Sequence, residues 1–324
     1  MKHGRGFFAL SLLLVSAVAA PQAAAAETCQ YRAQDLPVPE GARWARTQAT
    51  SDDNKLILGA VIVNDRWRGV VWRDGELTQL AAPDQGTGHV SVKDINNSGV
   101  VVGGLEIADV SGEITTHAFR YRNGTYELLP VESVEGSSAH WVNDAGDVVG
   151  EVWDESGRRT EVWPADGPRT TLGLGEPVGI SRDRKVVVQD RGSWPVTGSV
   201  IDLRTGLTTR LTGITGQLWA VDNDRLLLPG KGHTIDERDL AGNLIATYAD
   251  GMVAYGKNNT GTLLGRTGYN ENVLWQQGVR QLLDADKQLD RFYHGDVTDD
   301  GVLIGTYSDA DWTSHPARWL RTCS

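Results

Sequence analysis

The stretch Asp94-Ile95-Asn96-Asn97-Ser98-Gly99-Val100-Val101-Val102-Gly103 constrains this chain most, because variants of it return six more times. Each variant is a polar turn followed by an apolar triplet. The triplets lead to Gly59, Gly103, Gly150, Val188, Pro229, Gly265 and Gly305, which are spaced 36 to 47 residues apart. A period of about 40 residues signals a repeat architecture, in which one supersecondary unit stacks on its neighbours.

The content of the unit follows from its turns, which read SDDNK, NNSG, NDAGD, SRDRK, DNDR, NNTG and TDDG. Asn, Asp and Gly tolerate left-handed backbone and hydrogen-bond to their own main chain, so each turn predicts a hairpin between two short strands. The stretch is expected to keep only its bend from copy to copy. A second hairpin follows, marked by a bulky apolar residue and then a glycine: Trp72 and Gly75, Tyr121 and Gly124, Trp163 and Gly167, Leu203 and Gly206, Trp275 and Gly278. Leu240 and Gly242 mark it in the fifth copy, the weakest match. Four short strands per copy describe a propeller blade, whose sheet buries both faces against its neighbours. The expected fold is all-β, a seven-bladed β-propeller.

The seventh copy stops at Ala317-Arg318-Trp319-Leu320-Arg321-Thr322-Cys323, which supplies a third strand and no fourth. Tyr31 to Leu36 carries the missing pattern, so the N-terminal strand is expected to complete the last blade. On this alignment Cys29 and Cys323 fall where the other copies turn from third to fourth strand. A disulfide between them would replace the missing covalent turn, and an oxidising compartment would favour it.

That compartment is indicated by residues 1–26. Lys2 and Arg5 precede the apolar run Phe7 to Ala20 and the small-residue site Ala24-Ala25-Ala26, the pattern of a secretory signal peptide. The mature chain is expected to be residues 27–324, one secreted, extracellular, monomeric domain with no membrane span. Removing Lys2 and Arg5 from the 31 basic residues leaves 29 against 42 acidic ones, a net charge of −13. Such a polyanion repels nucleic acid and anionic lipid, so neither is expected as a partner.

The INxxG-type turn, the following Val-Val-Gly and His117-Ala118-Phe119-Arg120-Tyr121-Arg122-Asn123-Gly124 resemble the extracellular HAF-repeat family of bacterial secreted proteins. Copies two and three match best, and copy seven has His315-Pro316-Ala317-Arg318-Trp319 in place of the triplet. The resemblance implies a propeller-like secreted protein. It brings no catalytic residues.

No hydrolase elbow, zinc-protease helix, C-x-x-C or phosphate loop occurs, and no cofactor is expected. Asp94, Asn96 and Ser98 before Gly99, like Asp296, Thr298 and Asp300 before Gly301, mimic the start of a calcium loop. Position twelve is Leu105 or Tyr307 instead of the bidentate glutamate, so hairpin turn is the preferred reading and no metal is predicted.

In a four-stranded blade, the loops joining second to third strand and blade to blade share one face, opposite the tight turns. Function is expected on that loop face. Its second-to-third loops carry Trp67, Trp153, Trp194, Tyr269 and Trp312. The approaches to the innermost strands carry Trp44, His89, His140, Trp141, Trp219, Tyr255, Tyr293 and His294. Of 11 tryptophans, the repeat explains Trp72, Trp163, Trp275 and Trp319 as core; exposed aromatic rings elsewhere can stack on sugars or anchor a protein. The set Trp67, Trp153, Trp194, Tyr269, Trp312, His89, His140, Trp219 and His294 is the expected binding surface. The chain then reads as a non-catalytic binder of an extracellular protein or glycan. The alternative is a polysaccharide-active hydrolase or lyase with a site at the central channel mouth.

Overall fold

The apolar triplets are rich in Val, Ile and Leu, residues that suit a pleated strand packed on both sides. They form the second strand of each blade: Leu56–Val63, Val101–Ala108, Val148–Asp154, Lys185–Gln189, Arg225–Pro229, Leu263–Arg266 and Leu303–Ser308. These strands are almost continuously buried. A computed structural model describes residues 29–84, 86–132, 135–190, 196–211, 218, 220–222, 224–290 and 295–323. Residues 1–26 lie outside that set, as do Trp194, Trp219, Tyr293 and His294.

The described strands form seven antiparallel sheets of four strands each. Blade 1 runs outward from Trp44–Thr50 through Leu56–Val63 and Arg66–Arg73 to Glu76–Gln79. The other innermost strands are Val90–Ile95, Gly136–Val142, Glu176–Ile180, Ala220–Asp222, Val253–Lys257 and Asp296–Val297. Successive inner strands touch around a central channel, and blade 7 meets Trp44–Thr50 to close the ring. The chain is thus an all-β, seven-bladed propeller, with no helix among the described residues.

Ring closure follows the expected route. Cys29–Asp35 is the outermost strand of blade 7, antiparallel to Ser314–Cys323, and its register places Cys29 opposite Cys323. The two sulfurs are bonded. Tyr31 also donates its N–H to the carbonyl of Asp284 at 2.8 Å, tying this strand to the connection from blade 6.

The core consists of apolar layers between blades. The four repeat tryptophans add a polar latch. Trp72, Trp163, Trp275 and Trp319 are buried, and their indole N–H groups donate to the carbonyls of Pro37 (2.7 Å), Pro130 (2.9 Å), Ala249 (3.0 Å) and Lys287 (2.7 Å). Each acceptor belongs to the end of the preceding blade or the connection after it. Trp275→Phe leaves a carbonyl unanswered and some volume unfilled, and is expected to cost about 1–3 kcal/mol. A denaturant midpoint equal to wild type would show that the latch adds nothing.

The polar turns do more than bend. Asn96 accepts from the N–H groups of Ser98 (3.1 Å) and Val100 (3.0 Å) through its side-chain oxygen, while its amide donates to the carbonyl of Asn143 in the next blade at 2.9 Å. Asn143 reaches Ser181 at 3.3 Å and Asn258 reaches Thr298 at 2.8 Å in the same way. The expectation that only the bend is kept is therefore corrected: an amide at the first turn position also stitches neighbouring blades. The same bonds occupy two of the side chains that mimic the start of a calcium loop. Asn96 spends its oxygen on the turn, and Asp94 turns its carboxylate to the N–H groups of Val142 (2.8 Å) and Ile95 (2.9 Å).

Candidate functional site

The two faces differ in how their connections are built. Length varies most in the blade-to-blade connections, which range from Gly175 alone to residues 283–295. The second-to-third connections, expected to be long and variable too, are mostly tight. Asp109, Asp154 and Asp309 each accept from the backbone N–H two residues on, at 2.7, 2.8 and 2.9 Å, and Thr267 plays the same part toward Tyr269 at 3.2 Å. Hydrogen bonds from Ser111, Ser156 and His315, ahead of those from the backbone, hold the three carboxyls below their ordinary range.

The fourth position of these turns requires a left-handed backbone. Gly112 (φ 86°), Gly157 (φ 113°) and Asn270 (φ 65°) meet it with residues that tolerate that conformation; blade 7 places Trp312 there, at φ 61°. Trp312 is 86% exposed, so burial returns nothing for the strain. Tyr269, at the third position of the blade 6 turn, is 88% exposed. These two aromatic side chains stand on adjacent blades.

The remaining described candidates are half-buried, and all but His89 fall into two clusters. Trp67 packs edge-on against Trp44 with centroids 4.7 Å apart, and the Arg46 guanidinium carbon lies 4.9 Å from the Trp44 ring and 5.7 Å from the Trp67 ring. In blade 3 the Trp153 indole lies over Gly136, where any Cβ would strike it, with the Arg158 guanidinium 5.5 Å from its ring. Arg158 reaches buried Glu151 at 3.7 Å, and His140 reaches the same carboxylate oxygen at 4.0 Å. The His89 imidazole joins neither cluster. Trp194, Trp219 and His294 lie outside the described residues.

Sequence reasoning missed the charged members Arg46, Glu151 and Arg158. The inner strands also carry bulges, where the register slips between Thr47 and Ala49, Val92 and Asp94, and Ala139 and Trp141. The extra residues are Gln48, Lys93 and His140. The only hint in the sequence is that strict alternation fails after Val90-Ser91-Val92, a weak signal. Among the described residues no group of three or more His, Cys, Asp or Glu is placed to hold a metal ion.

No family model matches the chain, and no curated protein matches it. Solved structures do. An oligogalacturonate lyase in complex with manganese is similar at TM-score 0.60 and 13% identity, over 91% of this chain and 96% of that one. The WD40 repeats of RRP9 give TM-score 0.58 at 12% identity over 89% and 96%, and the WD40 β-propeller domain of Doa1 gives 0.53 at 14% over 90% and 96%. At such identities the likeness is one of fold: this chain shares the propeller architecture of WD40 repeats and of a lyase alike.

Proposed function

We propose that the chain is a secreted, non-catalytic binding propeller that holds an extracellular glycan or protein on its loop face, with Trp312 and Tyr269 as aromatic anchors. The observation that carries this reading is Trp312, fully presented to solvent from a backbone conformation its siblings meet with glycine or asparagine. Strain of this kind costs about 1 kcal/mol or more and is kept where the side chain is needed for contact. An aromatic ring offers large contact area with little rotamer entropy to lose. The signal-like segment 1–26 and the Cys29–Cys323 bridge fit an oxidising, extracellular setting, as does the HAF-repeat resemblance.

Trp312→Gly separates binding from folding. It is expected to raise stability by about 1 kcal/mol while weakening binding of whatever glycan or secreted protein the mature chain captures by about ten-fold or more. Thermal unfolding and a binding screen read the two effects. Unchanged binding would remove Trp312 as an anchor.

A second reading, a polysaccharide-active hydrolase or lyase, rests on the Glu151, His140 and Arg158 cluster beside the channel. There a buried carboxylate next to an imidazole has the ingredients of an acid–base pair. Chromatography of polysaccharides incubated with the mature chain tests it: no shortened or unsaturated product would discard it.

A further inference from the structure

We propose that Asn123 is a site of spontaneous covalent modification, where the chain's own main chain converts the side-chain amide to aspartate and isoaspartate and so loosens the outer strand of blade 2. The proposal is independent of what the loop face binds.

No other asparagine in the chain precedes a glycine. Asn123 and Gly124 form the two-residue turn between Ile114–Arg122 and Thr125–Leu128, at φ 51° and φ 82°. Left-handed backbone at both central positions is what an Asn-Gly pair supplies to a hairpin. The same placement sets up a reaction. The Asn123 side chain is exposed and enters no hydrogen bond among the described residues, whereas the amides of Asn96, Asn143 and Asn258 are buried and donate to the next blade. Across the peptide bond, the Gly124 N–H donates to no carbonyl, unlike those of Gly99 and Gly146. A Cβ on Gly124 would meet nothing within 4 Å, so neither a side chain nor a neighbour shields its nitrogen. Other exposed asparagines lack half of this pair: Asn97 bonds Asp144 at 2.6 Å and precedes Ser98, and Asn270 precedes Glu271. Asp-Gly steps such as Asp74-Gly75 keep the glycine nitrogen but offer a carboxylate, a poorer electrophile than an amide.

The reaction needs only water and hydroxide. The Gly124 nitrogen gives its proton to hydroxide and attacks Cγ of Asn123. The N–Cγ bond forms, the Cγ–Nδ2 bond breaks, and ammonia leaves with a proton from water, which returns the hydroxide. Water then opens the resulting succinimide ring. Opening at Cγ restores the ordinary chain as aspartate; opening at the Asn123 main-chain carbonyl leaves the chain running through Cβ and Cγ, which is isoaspartate. In sum one water enters and one ammonia leaves.

Little opposes the opening of the tip that the attack requires. Arg122 pairs with Thr125 along the strands and with Glu127 at 3.2 Å, and both of those charged side chains are exposed; exposed ion pairs add little. The consequence is structural, because a two-residue loop sets the register of its strands. Isoaspartate adds an atom to the main chain of that loop. Thr125–Leu128 then slips against Ile114–Arg122, which disturbs the packing of Tyr126 on Phe119 (centroids 5.0 Å apart) and Tyr121 (4.8 Å).

The test is incubation of the mature, disulfide-intact chain in mildly alkaline buffer, followed by isoaspartyl methyltransferase labelling and peptide mapping. The peptide holding Asn123 should take label before any other, faster as pH rises, and Asn123→Gln should abolish label in that peptide alone. Label appearing first elsewhere, or none at Asn123 in the folded chain, overturns the proposal; label at Asn123 only after unfolding in urea would identify the hairpin as its protection. In the purified isoaspartyl form, amide exchange in Thr125–Leu128 should be about ten-fold faster or more. Asn123→Asp, which adds the charge without the extra atom, should exchange like the native chain. Native exchange in the isoaspartyl form, or equally fast exchange in Asn123→Asp, would overturn the loosening by main-chain insertion.

Discussion

The double variant C29S/C323S is expected to be less stable than the native chain by about 5 to 6 kcal/mol if chain entropy alone counts, with a melting temperature about 10 °C lower. The reason is topological. The bridge spans a sequence separation of 294 residues, so cutting it releases the unfolded chain from one very large loop. In the folded ring, the same cut leaves blade 7 closed by the pairing of Cys29–Asp35 with Ser314–Cys323 and by bonds such as those of Tyr31 to Asp284, Ala33 to Asp286 and Tyr307 to Asp35. Opening should therefore begin there, and amide exchange should rise first in Cys29–Asp35. A melting temperature within a degree or two of wild type would mean that strand pairing closes the ring unaided.

Asp94→Asn is expected to change how stability depends on pH. Desolvation raises the Asp94 carboxyl to about 7, aided by the charge of Asp52 and opposed by the N–H groups of Val142 and Ile95. In the unfolded chain the group titrates near 4. Because the folded value is the higher one, the native state holds the proton longer: the group's contribution is intact below about pH 4, is lost progressively as pH rises to about 7, and stays lost above. Asparagine cannot ionise, so its stability relative to wild type should climb by about 2–4 kcal/mol between pH 4 and pH 8. Arg182 complicates the surroundings, since it reaches across from the blade 4 turn to Asp52 at 3.0 Å. The comparison of unfolding free energies at the two pH values is nonetheless direct, and a pH-independent difference would refute the assignment.

Much of the fold was legible because its determinants are local. A polar turn bends where Asn, Asp and Gly sit, and the following triplet forms a strand whatever its neighbours are. The period then counts the blades, and the truncated last copy points to the N-terminus for its missing strand. Even Cys29 and Cys323 could be paired across the chain, because strand register in the other copies located both. What escaped was the second use of each turn. The amide of Asn96 finds Asn143 only when two blades lie side by side.

The candidate site was legible as residue types and not as groupings. Trp67 and Trp153 look alike in sequence to Trp312, yet the first packs on Trp44 and Arg46, the second covers Gly136, and only the third stands in solvent. The reason is that the three rings sit on a third strand, a second strand and a turn, and what covers each is decided by neighbours that meet only in the folded blade. By itself, then, the sequence determined the repeat, the all-β ring, its closure and the face where blades vary. Only the tertiary structure decided which aromatic side chains are presented, because what covers each ring depends on strands that meet only in the folded ring.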